Sequence, residues 1–184
     1  MYTDITLRLT PETAKDAKGN EAKAFTWHLG THFDVMDKEF PLEYIRRKGI
    51  VFDVSDVGNG EVRLSDVDLD RVEAGMFTAF YSGFIEEAGY GNPVYFHEHP
   101  QLSTELIEAL LEKEISIIGI DFAGVRRGKE HTMTDQYCAD HGVFVIENLC
   151  NLKELADKKD IVFHTYPLNF AGMSGLPCRV VAES

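Results

Sequence analysis

His28, His32 and Asp34, in the stretch Trp27-His28-Leu29-Gly30-Thr31-His32-Phe33-Asp34, restrict the local backbone more than any other part of this chain. Two imidazoles and a carboxylate so close together are a donor set preferred by Zn²⁺ and also suited to Mn²⁺ or Fe²⁺. No regular element offers all three to one ion. On a helix His28 and His32 share a face, but Asp34 falls roughly 120° away. Gly30 and the β-branched Thr31 also disfavour a helix. On a straight strand all three point the same way, but the two histidines sit about 13 Å apart. The pattern therefore predicts a strand that kinks at Gly30-Thr31, where glycine permits the bend. Phe25, Trp27 and Phe33 alternate away from the ligand positions and are expected to pack the opposite face as core. An ordinary His–Asp surface pair is the competing reading.

Short runs rich in β-branched and aromatic residues read as strands: Val51 to Val54, Phe77 to Tyr81, Ile115 to Ile120, Val143 to Ile146 and Ile161 to Phe163. Ser103 to Glu114 reads as a helix. Ser103 is its N-cap, Leu106, Leu110 and Leu111 form its apolar stripe, and glutamates cover the other side. Thr134 to His141, capped by Thr132 or Thr134, reads as a second helix, and Ser65 to Ala74 as a third. With 184 residues and no repeat or linker, this is a single mixed α/β domain over residues 1–184.

Several fragments, in order, resemble one family. His28-x-Gly30-Thr31-His32-x-Asp34 is similar to the signature of the cyclase family of metal-dependent hydrolases, which includes bacterial kynurenine formamidase and isatin hydrolase. Asp4-Ile5-Thr6 resembles that family's opening strand. Pro41-Leu42-Glu43 and Gly49 to Ser55 resemble its Pro-Leu-Glu segment and next strand. His99-Pro100-Gln101-Leu102-Ser103, Ile118-Gly119-Ile120-Asp121, Val145 to Leu152, and Pro167-Leu168 with Gly175 to Ala182 follow in the family's order. The resemblance implies a β/β/α fold of the swivelling type, a divalent metal, and hydrolysis of a non-peptide C–N bond. It implies one Zn²⁺ or Mn²⁺ ion, with two allowed, and a homodimer or homotetramer.

The departures are specific. A third motif histidine usually follows, and the positions around it here hold Met36 and Lys38. The loop before Pro41 is shorter than the family pattern by roughly nine residues. Members with two metals use a histidine about twelve residues before the Glu of Glu-Asn-Leu. Counting back from Glu147 gives Asp135, beside Gln136 and four residues after His131.

Other residues have local arguments. Glu147 ends an apolar strand and is expected at the site, as a ligand or as the group that accepts a proton from water. Asp135 is available as a hard ligand, although an acidic residue early in a helix also follows from the helix dipole. Lys38 is a candidate to stabilise an oxyanion. Asp121 ends the strand Ile117 to Ile120; it is either a turn cap or, by the family analogy, a group that holds a ligand. His97 and His99 are expected mainly as loop polarity, with a substrate or metal contact as the alternative. His131, His141 and His164 read as structural or surface residues. Arg126 and Arg127 read as solvated, and Phe40 or Tyr44 as possible walls of a substrate pocket.

Eighteen basic against 31 acidic residues give a formal charge of −13, which disfavours nucleic acid and anionic membrane surfaces. No apolar run is long enough to span a bilayer, and the first residues lack a signal-peptide pattern. Cys138, Cys150 and Cys178 are odd in number and unpatterned, as expected for buried thiols in a reducing cytoplasm. The expected function is a metal-dependent amidohydrolase acting on a small molecule, such as an aryl formamide or a cyclic amide. The alternative is a non-catalytic metal- or small-molecule-binding protein on the same fold.

Overall fold

The computed structural model describes residues 1–8 and 27–184, so Phe25 lies outside the described residues. Among the described residues there are ten strands: β1 (Tyr2–Asp4), β2 (His32–Asp34), β3 (Arg46–Asp53), β4 (Glu61–Val62), β5 (Phe77–Tyr81), β6 (Gln101–Leu102), β7 (Ile117–Ile120), β8 (Phe144–Glu147), β9 (Ile161–Pro167) and β10 (Gly175–Glu183). The same residues include four α-helices: α1 (Phe84–Ala88), α2 (Pro93–His97), α3 (Thr104–Glu112) and α4 (Glu130–Asp140).

Eight strands make one sheet in the order β1-β10-β2-β8-β7-β5-β3-β9, and β9 pairs again with β10, so the sheet closes into a barrel. Four adjacent strands, β8, β7, β5 and β3, run parallel. β5, β7 and the Ile50 to Phe52 part of β3 are buried on both faces because one face looks into the barrel and the other lies under helices. Inside are Phe33, Phe77, Phe144, Phe163 and Val180; outside, Ile50, Phe80 and Ile118 meet Leu106, Ile107 and Leu110 of α3. The domain is thus a mixed α/β unit with a sheet-barrel, as expected for the swivelling β/β/α class.

The aromatic interior depends on a bare backbone position. Phe77 and Phe163 stack with centroids 4.1 Å apart. Gly49, paired with Phe77 across the sheet, lies beneath them. A Cβ there would sit 2.2 Å from the Phe77 carbonyl oxygen and 2.7 Å from the Phe163 ring.

Ser103 caps α3 as expected, its Oγ accepting from the Leu106 N–H at 3.1 Å. Two expectations need correction. The segment Ser65 to Ala74 is not a helix but two 3-10 turns, Leu64–Asp66 and Leu69–Arg71, with extended Val67 and Asp68 between them. Asp68 caps the second turn by accepting from the Asp70 N–H, so an Asp inside the stretch restarts the chain instead of continuing it. Helix α4 begins earlier than expected, at Glu130, and neither Thr132 nor Thr134 caps it. That extension carries His131 onto the helix. Lastly, α1 and α2 are each too short to show a period in sequence.

Gly49→Ala is expected to lower stability by about 1–3 kcal/mol or more, because backbone and two rings would have to move. Urea unfolding measures this; an unchanged midpoint would contradict the packing described.

Candidate metal centre

The predicted kink exists. Strand β2 covers only His32–Asp34, and Gly30 takes a left-handed conformation with φ 66° just before it. The turn folds His28 back, so its Nδ1 comes within 2.8 Å of Asp34 Oδ1. His32 Nε2 is 3.6 Å from the same oxygen. Strand β2 pairs antiparallel with β8 so that His32 stands opposite Glu147, and His32 Nε2 is 3.7 Å from Glu147 Oε2. Helix α4 supplies the remaining wall. His131 Nε2 lies 3.0 Å from Glu147 Oε1 and 3.2 Å from Asp135 Oδ2.

The structure thus assembles two groups that share Asp34: His28, His32 and Asp34, and Asp34, His131, Asp135 and Glu147. Within each, one ligand atom per residue lies within 4.8 Å of all the others. Donors each about 2.1 Å from one tetrahedral ion lie roughly 3.4 Å apart, so the spacing suits a cation.

The hydrogen bonding fits one too. His32 and Asp34 are each 1% exposed, Asp135 3% and Glu147 4%. Yet His32 Nε2, both Asp34 oxygens and Asp135 Oδ1 are buried with no aligned hydrogen-bond partner. Buried polar atoms are normally satisfied, and orphans in two adjoining ligand groups that share Asp34 are the pattern divalent ions relieve. Each histidine is oriented from behind. His32 Nδ1 faces the Gly30 carbonyl at 2.8 Å; a carbonyl only accepts, so Nδ1 carries a proton and Nε2 is the nitrogen presented to the cluster. His28 Nε2 contacts Ser174 Oγ at 2.9 Å, which turns Nδ1 inward.

The charges tell the same story. Burial opposes ionisation of Asp34, but His32 and His28 hold it well below the usual carboxylate range. Burial, then the charge on Asp34, pushes Asp135 well above that range. Burial also works against a charged His131, but the hydrogen bond and charge of Glu147, with Asp135, raise it to about 10. Asp135 and His131 therefore hold protons that a divalent cation would displace.

Several expected residues lie elsewhere. Lys38 is not turned to the cluster: its ammonium pairs with Asp140 at 2.6 Å and Asp37 at 3.0 Å. Gln136 donates to the same two carboxylates, so it straps the 35–40 loop to α4 and does not meet a ligand. Asp121 is the turn cap. It accepts from the Ser82 N–H, the Ser82 hydroxyl at 2.6 Å and the Gly83 N–H at 2.7 Å, at the entrance to α1. His97 is exposed at the end of α2. His99 is buried, donates from Nδ1 to the Pro100 carbonyl and stacks on Phe122; burial lowers it to about 4, so it is neutral. Arg126 pairs with Glu61 and Glu130.

Phe33 is core as expected, but Trp27 is 39% exposed and packs at a tilt against Phe170. Phe40 and Tyr44 pack against Phe144. Phe40 also borders a cavity of about 640 Å³ formed by Val35 to Phe40 and Pro167 to Met173. No cluster residue lines that cavity, so the chemistry is assigned to the cluster and not to it.

The residue misread in the sequence is His131, expected as structural. Its signal was its place four residues before Asp135, one turn of helix away. Tyr90, Tyr95 and Ser174, which hold the ligands' backbone and rings, gave no sequence signal, and Asn148 gave one only as part of the Glu147-Asn148-Leu149 resemblance.

Burial raises Asp121 from its ordinary 3.8 to about 7, although Ser82 and Gly83 pull the other way. A carboxyl that binds its proton more tightly in the folded state weakens the fold as pH rises from about 4 to about 7. Asp121→Asn should flatten stability across that window in urea unfolding; an equally steep dependence would contradict it. Lys38→Met should leave metal affinity unchanged, as read by calorimetry; a large loss would return Lys38 to the site.

The sequence matches the family model described as "Putative cyclase" over residues 3–126. No curated protein matches it in sequence. Among solved structures it is similar to isatin hydrolase A from Labrenzia aggregata bound to benzyl benzoate (TM-score 0.74, 19% identity, covering 99% of this chain and 93% of that one). It is also similar to isatin hydrolase A from Ralstonia solanacearum (TM-score 0.74, 18% identity, 99% and 91%). A third is a potential metal-dependent hydrolase with cyclase activity (TM-score 0.73, 21% identity, 99% and 96%). At these identities the likeness establishes the fold.

Proposed function

Because this chain belongs to the cyclase family, whose model spans more than half of it, we propose that it is a metal-dependent hydrolase of a non-peptide C–N bond. The substrate class is an aryl formamide, such as N-formylkynurenine, or a cyclic amide. The observation that carries the reading is the buried set of unpaired ligand atoms on His32, Asp34 and Asp135. Neighbours of the same fold named isatin hydrolase and metal-dependent hydrolase support the reaction class.

A divalent ion bound here, Zn²⁺ or Mn²⁺, would supply a more acidic water and a polarised carbonyl. His28, His32 and Asp34 would hold it. The second group, with three carboxylates and His131, suits a harder ion if two are bound. Glu147 is the proton carrier: its carboxylate faces both groups, accepts the proton released by the attacking water and delivers it to the leaving nitrogen. His131, hydrogen-bonded to Glu147 Oε1, orients that carboxylate. The burial of His32, Asp34, Asp135 and Glu147 lowers the local dielectric and strengthens their interactions, while His28 and His131 stand at the solvent side of the cluster. A homodimer or homotetramer in a reducing cytoplasm belongs to the same proposal.

One observation favours a second reading, a metal-binding protein without turnover. Lys38, where relatives carry a third histidine, is tied to Asp140 and brings no base to the site. A panel of formyl anilides, cyclic imides and lactams, assayed with metal-loaded and chelator-stripped protein, separates the two. Metal-dependent turnover of any member supports the hydrolase; bound metal with no turnover supports the alternative. In the hydrolase, His32→Ala should abolish both metal binding and turnover, and retention of both would sink the assignment of the site.

A further inference from the structure

The residue that follows Glu147 joins the segments from which the site is built. Asn148 is 2% exposed and left-handed, with φ 59°. Its Nδ2 donates to the Gly30 carbonyl at 2.8 Å. Its Oδ1 accepts from the Tyr95 hydroxyl at 2.7 Å. Its own carbonyl accepts from Thr31 Oγ1 at 2.7 Å, and its N–H donates to the Phe122 carbonyl at 3.2 Å. The Gly30 carbonyl is also the acceptor for His32 Nδ1. A carbonyl oxygen has two lone pairs, so Gly30 takes both donors. The Gly30 N–H, in turn, donates to the Tyr90 hydroxyl at 2.9 Å.

We infer that Asn148 is a positioning residue for His32: its side-chain amide fixes the Gly30 carbonyl, and that carbonyl fixes the imidazole tautomer that presents Nε2 to the cluster. Gly30 lies in a left-handed turn between the two histidines, and a glycine backbone has few steric limits of its own, so its peptide plane is set by outside anchors. The amide is the only side-chain donor to that carbonyl, among the described residues, besides His32 itself. Thr31, clamped on the Asn148 carbonyl, holds the other side of the same peptide. Tyr95 orients the amide so that Nδ2, and not Oδ1, faces Gly30.

The test uses Asn148→Gly and Tyr95→Phe. Glycine accepts the left-handed backbone without strain and keeps both backbone hydrogen bonds, so only the amide is lost. Tyr95→Phe removes the bond to Oδ1 and leaves the contact with Gly30. The first readout is the His32 tautomer in metal-free protein at alkaline pH, from long-range ¹H–¹⁵N correlation. The native chain should show Nδ1–H, and Asn148→Gly a mixture of tautomers. The second readout is Co²⁺ affinity and its visible absorption, the only arm that rests on the proposed metal site. Asn148→Gly should bind Co²⁺ about 10–100-fold more weakly, with an altered spectrum, and Tyr95→Phe should lose less. A native tautomer with native affinity in Asn148→Gly would overturn the inference. If the native chain binds no Co²⁺, the metal reading fails, and the tautomer alone decides the role of Asn148. If Asn148→Gly does not fold, Asn148→Asp, which also tolerates the left-handed backbone but lacks the donor, is put through the same measurements. A native tautomer in Asn148→Asp would then overturn the inference.

Discussion

The burial of Asp34 with no aligned hydrogen bond, only close imidazoles, is the constraint on which the rest of the site depends. An ionised carboxylate that is 1% exposed costs far too much free energy to leave uncompensated. His28 and His32 approach it from the kinked motif, and His131 sits across the cluster on α4. His32 and His28 keep Asp34 ionised while Asp135 retains its proton. The protein alone therefore reaches a compromise of shared protons, and one or two divalent ions would replace them with a single set of charges.

The barrel makes this arrangement possible. Strand β2 is only three residues long and is held between β10 and β8. Its register with β8 puts His32 opposite Glu147, and a slip of one residue would turn both ligands away from each other. The return of β9 onto β10 closes the sheet and gives the hairpin whose Ser174 orients His28. Site and fold are thus coupled by register more than by any single contact.

Much of this was legible in the sequence, for definable reasons. The strands Phe77 to Tyr81 and Ile117 to Ile120 are continuous apolar runs because both their faces are buried. The Ser103 helix announced itself through its cap and its leucine stripe. The kink at Gly30 followed from the spacing of His28, His32 and Asp34 alone. What stayed hidden was tertiary. His131 reaches the cluster only because α4 begins earlier than its threonines suggested, and the reach of Lys38 is decided by Asp140, a residue far from it in sequence. Asn148, Tyr90 and Tyr95 act through hydrogen bonds to a backbone turn, which leave no periodic trace.

The most direct test of the central claim is the metal content of protein purified without added metal or chelator, measured by elemental analysis before and after stripping and reloading. The account gives about one ion per chain if only His28, His32 and Asp34 are filled, and about two if His131, Asp135 and Glu147 complete the second group. Protein that is empty as purified and cannot be loaded with Zn²⁺, Mn²⁺ or Fe²⁺ would contradict it, and the unpaired atoms around Asp34 would then need another explanation.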